Sequence, residues 1–239
     1  MADNKGIIYE AKVNRLLREH KVQRDGFSPA GSNPNKPDAE IRVRGEDYFC
    51  EIKLDASKDF GQGSIDYDAV KQQWIIAGKQ DDSGMIMREI LAANQVMQIV
   101  NSETIGWGKH GAPRRDTVPH NLLTKADVAD DKAKYKDIFV PIQTNSATRY
   151  YNAKKTYYIQ IGKYGFYFMG KDIANLGVAQ FIPKLQVRIR LKQKDDKKLH
   201  NYRFVAAIVI KARSLLKTNK SLDDTKFLEE LATLKTDRE

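Results

Sequence analysis

Asp38 follows Pro37, and Glu51 and Lys53 stand two apart in the run YFCEIKLD, thirteen residues further along. Side chains alternate faces along an extended chain, so Glu51 and Lys53 project together while Cys50, Ile52 and Leu54 take the other side. A helix would aim the two charges about 200° apart. An acid and a base side by side on a strand can hold a hard cation and a water next to it. Asp38, delivered by the Pro37 turn to the start of a neighbouring strand, can supply a second carboxylate. Mg²⁺ suits such a set, with Mn²⁺ as a substitute, because it takes oxygen ligands, keeps several waters and usually binds one or two carboxylates plus substrate phosphate. The same residues also fit an amphipathic edge strand whose Glu and Lys face solvent and pair with each other.

Positioning these groups requires particular elements around them. Ile7, Ile8, Val13, Leu16 and Leu17 recur at helical spacing, which predicts an amphipathic helix over Gly6–Glu19. FSPAGSNPNKP, Phe27–Pro37, is a loop by its Ser, Pro, Gly and Asn content. Two strands follow, Ala39–Arg44 and Tyr48–Leu54, joined by a tight turn at Gly45–Asp47. DASKDFGQGSIDYD reads as a polar loop, and Ala69–Ala77 and Met85–Val100 read as helices.

Beyond these lies a stretch poor in apolar residues, Trp107–Asp137, with GAPRRD and VPHN, expected to be an exposed insertion. His110 and His120 fall in it, ten apart, a separation that matches no metal motif. TYYIQI and FYFM flank GKYG as one hairpin, and LQVRIRLK and YRFVAAIVI flank KDDKKLHN as a longer one. LDDTKFLEELATL is a final amphipathic helix with an acidic start.

With the helix, the Pro-Asp turn and the Glu-x-Lys strand in this order, the sequence resembles the PD-(D/E)XK nuclease superfamily, the fold of many restriction endonucleases and of archaeal-type Holliday junction resolvases. The matching residues are Pro37-Asp38 and Glu51-Ile52-Lys53. GIIYEAKVNRLLRE looks like the family's first helix, in which an acid, here Glu10, often joins the site. SPAGS stands where resolvase-like members carry a Ser-containing loop, and Gln62 or Gln72 could match the glutamine that often follows the motif. The likeness covers about the first 80 residues.

The resemblance implies that Asp38, Glu51 and the backbone carbonyl of Ile52 ligate Mg²⁺, with Glu10 binding a second metal or reaching the first through water. It implies that Lys53 orients or helps deprotonate the attacking water and offsets charge on the phosphate, with Gln62 nearby. The implied activity is Mg²⁺-dependent endonucleolytic hydrolysis of DNA phosphodiesters, restriction-endonuclease-like on duplex DNA, by a homodimer. A Holliday junction resolvase-like enzyme is the alternative, supported by the Glu10 helix and the SPAGS loop. A nucleic-acid-binding protein that keeps the fold without catalysis is the rival from another class.

The whole chain, 239 residues with a formal charge of +10, favours polyanionic partners. Much of the excess is local: from Lys184 to Lys217 there are eleven Lys or Arg against Asp195 and Asp196. Arg188, Arg190 and Lys192 alternate with Val187, Ile189 and Leu191, so one strand presents a basic face whose roughly 6.8 Å repeat can track one DNA strand. Lys197, Lys198 and Arg203 extend it; a solvated sheet face reads the same way. The single Cys50 excludes an intramolecular disulfide framework and suggests a reducing, cytoplasmic setting, the nucleoid or a phage-infected cell. MADNKGIIYEAK lacks the apolar core of a secretion signal, and no run reaches about eighteen apolar residues, so no membrane is expected. The expected architecture is α/β: a restriction-endonuclease-like mixed sheet flanked by helices in 1–105, an insertion or linker over 106–154, and a β-rich basic part with a C-terminal helix over 155–239.

Overall fold

The computed structural model describes residues 5–31, 36–68, 70–77, 81–103, 122, 124–134, 137–193 and 202–234. In chain order its first elements are α1 (Lys5–Glu19), β1 (Ala39–Val43), β2 (Glu46–Lys53), β3 (Gln62–Asp68), β4 (Gln73–Ala77), α2 (Asp82–Ala93) and α3 (Val96–Glu103). They are followed by α4 (Lys125–Lys134), β5 (Ile138–Ile142), α5 (Ser146–Ala153), β6 (Thr156–Ile161), β7 (Gly165–Phe168), β8 (Ala179–Gln180), β9 (Leu185–Gln193), β10 (Tyr202–Ile210) and α6 (Thr225–Thr233). The class is mixed α/β, and the described residues form two five-stranded sheets. No described helix is long and apolar enough to cross a membrane.

Two compact units are built from interleaved segments. The first comprises Met1–Lys58, Thr148–Lys184 and Ile210–Glu239; the second comprises Asp59–Ala147 and Leu185–Val209. Strands far apart in sequence pair to complete each sheet, so each unit draws on separated segments of the chain.

In the first unit the strand order is β1-β2-β6-β7-β8. β1 and β2 form the expected antiparallel hairpin, with Ala39 opposite Cys50 and Val43 opposite Glu46. Its turn sits at Arg44-Gly45, both at positive φ (49° and 79°), the backbone that a two-residue turn needs to match strand twist. β2 then runs parallel to β6, with Glu51 beside Ile159 and Lys53 beside Ile161. Cys50 and Ile52 join Tyr9, Val13 and Leu17 of α1, Tyr158 and Phe166, and Phe227, Leu228 and Leu231 of α6 in one buried apolar cluster. Asp224 caps α6 by accepting the N–H of Lys226 at 3.1 Å. Alternation in β2 is thus set by a covered apolar face, and the charges occupy the other.

In the second unit the order is β4-β3-β10-β9-β5. The segments read as a loop and a helix, residues 55–68 and 69–77, instead give the antiparallel pair β3 and β4. Asp68 holds the connection by accepting the N–H groups of Val70 and Lys71, each at 3.0 Å. Trp74, Ile75 and Ile76 are aromatic and β-branched, which favours a strand over a nine-residue helix; Trp74 is buried against Phe204, ring centroids 4.7 Å apart. Met85–Val100 is broken at Asn94-Gln95, where Gln95 takes φ 57° and the Asn94 side chain donates to the Ile90 carbonyl. The region expected to be an insertion contributes β5 to this sheet, pairing with β9, and α5 after it.

Candidate active site

Within the first unit, one end of the β1–β2 hairpin gathers Asp38, Glu51 and Lys53. Lys53 directs its backbone carbonyl to β6, where it accepts the N–H of Gly162 at 2.8 Å. Neighbouring residues of a strand turn their peptide groups to opposite edges, so Ile52 faces the β1 edge. Its N–H there donates to Asp38 Oδ2 at 3.0 Å. β1 begins only at Ala39, opposite Cys50. The carbonyl of Ile52 therefore lies beyond the last pair of the ladder, on the same edge as Asp38.

Asp38 is itself pinned by α1. Asn14, buried in the middle of that helix, donates through Nδ2 to the Asp38 carbonyl at 2.9 Å and to the Glu10 carbonyl at 3.0 Å. The Gln23 amide holds Asn14 from behind, donating to its Oδ1 at 2.8 Å. The loop ahead of β1 is tied the same way, with Gly31 N–H donating to Glu10 Oε1 at 3.2 Å and Ala30 N–H to the Pro37 carbonyl at 3.0 Å. One face of the first helix thus carries both an acid near the site and the amide that fixes the Pro37-Asp38 turn.

Glu51 is 7 % exposed. Its Oε1 is in ion-pair contact with Lys53 Nζ and accepts the Tyr151 hydroxyl at 3.1 Å. Tyr151 is buried on α5, with the Tyr150 ring edge-on to it at 5.3 Å. The electrostatics follow from this crowding. Burial first, then the charges of Glu51 and Glu10, push Asp38 up to about 7 against the pull of Lys53 and the Ile52 N–H. Burial and the Glu51 charge likewise raise Glu10, opposed by Gly31 N–H and Lys53. Burial alone would lower Lys53, but the Glu51 and Asp38 charges outweigh it and the group is raised, so it stays an ammonium. Burial and Glu51 hold the Tyr151 phenol well above its ordinary value.

Asp38 and Glu10, both raised by burial and the Glu51 charge, have the electrostatics that a divalent cation relieves. No group of three or more His, Cys, Asp or Glu side chains placed to hold a metal occurs among the described residues. The donor set is two carboxylates and a strand carbonyl, which suits Mg²⁺ with its remaining positions filled by water and phosphate, and does not suit a closed zinc site.

The other candidate residues belong to the second unit or fall outside the described residues. Gln62 opens β3 in the second unit and donates to Asp59 Oδ2 at 2.7 Å. Gln72 is exposed in the β3–β4 turn at φ 52°, not on a helix. Along β9, Val187, Ile189 and Leu191 are buried and Arg188, Arg190 and Lys192 lie on the opposite, partly exposed face. That face is not simply basic: Arg188 pairs with Asp59, Arg190 with Asp137 at 3.4 Å, and Arg203 with Asp66 at 3.5 Å. Lys197, Lys198, His110 and His120 lie outside the described residues.

Sequence reading missed Asn14 and Tyr151. Asn14 sits mid-helix, where Asn is an unfavourable choice unless its side chain has a task, and that was the available signal. Tyr151 meets Glu51 across a separation of 100 residues, and nothing local marks it. Comparison of the chain with protein-family models, curated proteins and solved structures gives no match in any of the three.

Proposed function

We propose that the first unit is a restriction-endonuclease-like core of the PD-(D/E)XK type and that the chain is a Mg²⁺-dependent endonuclease hydrolysing phosphodiester bonds in duplex DNA. The observation carrying this reading is the convergence of Asp38 Oδ2 on the Ile52 N–H, beside a Glu51–Lys53 pair on the same strand. Asp38, Glu51 and the Ile52 carbonyl would hold the cation, with Glu10 within electrostatic reach of both. When bound, Mg²⁺ or Mn²⁺ acidifies a coordinated water and neutralises charge on phosphoryl oxygens. Lys53, kept protonated by its two carboxylates, offers a donor to the attacking water or to a non-bridging phosphate oxygen as negative charge builds there. Asn14 keeps the Asp38 backbone from drifting, which matters because ligand placement sets the geometry of attack.

Lys58 and Lys163 add exposed positive charge around Asp55, just past the end of β2, which favours a polyanionic substrate. A homodimer is part of the proposal, since cutting both strands of a two-fold symmetric duplex calls for two related sites. The second reading, a junction resolvase-like enzyme, is favoured by one contact: Gly31 of the SPAGS loop donates to Glu10, linking the two features that suggested it.

Incubation with plasmid, linear duplex, single strand and four-way junction, with and without Mg²⁺, tests the proposal. Mg²⁺-dependent cleavage of plasmid or duplex that Asp38→Asn abolishes is the expected result. Junction-only cleavage selects the second reading. DNA binding without any cleavage would leave the non-catalytic binding protein instead.

A further inference from the structure

Glu51 and Lys53 are locked together, yet the proposed reaction asks them to do different things. Glu51 must offer an oxygen to a cation, and Lys53 must reach a water or a phosphate. Tyr151 resolves this. Its hydroxyl lies 3.1 Å from Glu51 Oε1, the oxygen that also contacts Lys53 Nζ. Both donors meet at Oε1. The ring is 1 % exposed and braced edge-on by Tyr150, so the hydroxyl is held by packing and not by Glu51 alone. Lys154 Nζ lies over both rings, 5.9 Å from Tyr150 and 5.8 Å from Tyr151.

We propose that Tyr151 is a positioning residue for the metal site: by occupying Oε1 it directs Oε2 of Glu51 to the cation and keeps Oε1 hydrogen-bonded when Lys53 swings to the phosphate. Without it, release of Lys53 would strand a buried carboxylate oxygen without a donor, which is unfavourable. The inference rests on the metal-dependent reading above.

The test is Mn²⁺ binding to the full chain, measured calorimetrically and by the Mn²⁺ concentration for half-maximal plasmid cleavage, in wild type, Tyr151→Phe, Glu51→Gln and Asp38→Asn. Tyr151→Phe keeps the ring and removes only the donor; Mn²⁺ affinity should fall roughly 10- to 100-fold, the range for losing a group that orients a ligand, with DNA affinity unchanged. Wild-type Mn²⁺ affinity in Tyr151→Phe, alongside weakened Glu51→Gln and Asp38→Asn, overturns the role of Tyr151 alone. Wild-type affinity in Glu51→Gln and Asp38→Asn overturns the metal site itself. Should Tyr151→Phe misfold, the assigned ¹³Cζ resonance of Tyr151 in wild type serves: it should shift on Mg²⁺ addition, and an unmoved resonance at saturating Mg²⁺ overturns the proposal.

Discussion

Asp38 Oδ2 accepts the backbone N–H of Ile52 at 3.0 Å, so the first carboxylate of the site is fastened to the residue that joins Glu51 to Lys53. Burial and neighbouring charge nevertheless lift this acid from its ordinary 3.8 to about 7. An acid raised in the folded state holds a proton that the unfolded chain has already released. Between these two values the folded state therefore binds more protons, and stability falls as pH rises. Glu10 shifts in the same direction. The thermal midpoint of metal-free protein should decline from about pH 4 to about pH 7, less steeply in Asp38→Asn, and Mg²⁺ should flatten the decline. Identical slopes for wild type and Asp38→Asn would show Asp38 ionised throughout. Cleavage, which needs the ionised ligand, should rise through about pH 7.

Parts of this arrangement could be read from the sequence and parts could not. The β1–β2 hairpin and the alternation of Cys50 and Ile52 against Glu51 and Lys53 are local properties, and they stand where spacing puts them. β3 and β4 were misread because Gly61, Gly63 and four aspartates between Asp55 and Asp68 look like loop. The strand pattern there, Ile65 buried between Ser64 and Asp66, is short and flanked by polar residues. The division into units was illegible because β9 and β10 complete a sheet begun some 120 residues earlier by β3.

The proposed metal dependence rests on the oxygen-only donor set. Cleavage should require Mg²⁺ or Mn²⁺ and stop in Ca²⁺, which binds oxygen ligands at longer distance and in looser geometry. A gel assay of supercoiled plasmid across the three ions, with EDTA as control, reads this directly, and full activity in EDTA would defeat the assignment of Asp38 and Glu51.

Asn14→Leu deletes the amide that donates to the Asp38 and Glu10 carbonyls and accepts from Gln23, so the Asp38 carbonyl loses this donor and the buried Gln23 amide keeps only its 3.3 Å bond to the Glu40 carbonyl. A loss of about 1–3 kcal/mol is expected for stranding such buried groups. Mn²⁺ affinity should drop with it, because the Pro37-Asp38 turn is no longer fixed to α1. A variant that melts earlier but binds Mn²⁺ as wild type would make Asn14 purely a stability residue.

Lys53→Met keeps the apolar stem and deletes the charge. Lys53 and Glu51 side chains are 20 % and 9 % exposed, so their pairing is not a solvated one, and its loss should exceed the roughly 0–1 kcal/mol of a surface pair. Single-turnover cleavage should fall by roughly 10² to 10³, the scale for losing one well-placed electrostatic group, while DNA affinity stays near wild type. Glu51→Ala should do the same and also weaken Mn²⁺ binding. Near-wild-type turnover by both variants would return the pair to a structural salt bridge.

The basic face of β9 gives the last test. Replacing Arg188, Arg190 and Arg203 with alanine should weaken DNA binding and flatten its dependence on salt, since each phosphate contact contributes roughly 0.9 to the slope. Each of these guanidinium groups already shares a carboxylate, Asp59, Asp137 or Asp66. A phosphate must therefore compete with an aspartate for each arginine, and the slope should change by less than three full contacts. Asp137→Asn supplies the counterpart. It frees Arg190 from its partner and weakens the hold on Arg188, which lies 3.9 Å from the same carboxylate, so DNA affinity should rise and the slope steepen. Binding measured across a salt series for both variants separates the possibilities: slopes unchanged in the triple variant and in Asp137→Asn would identify this face as a charge-paired sheet surface that DNA does not touch.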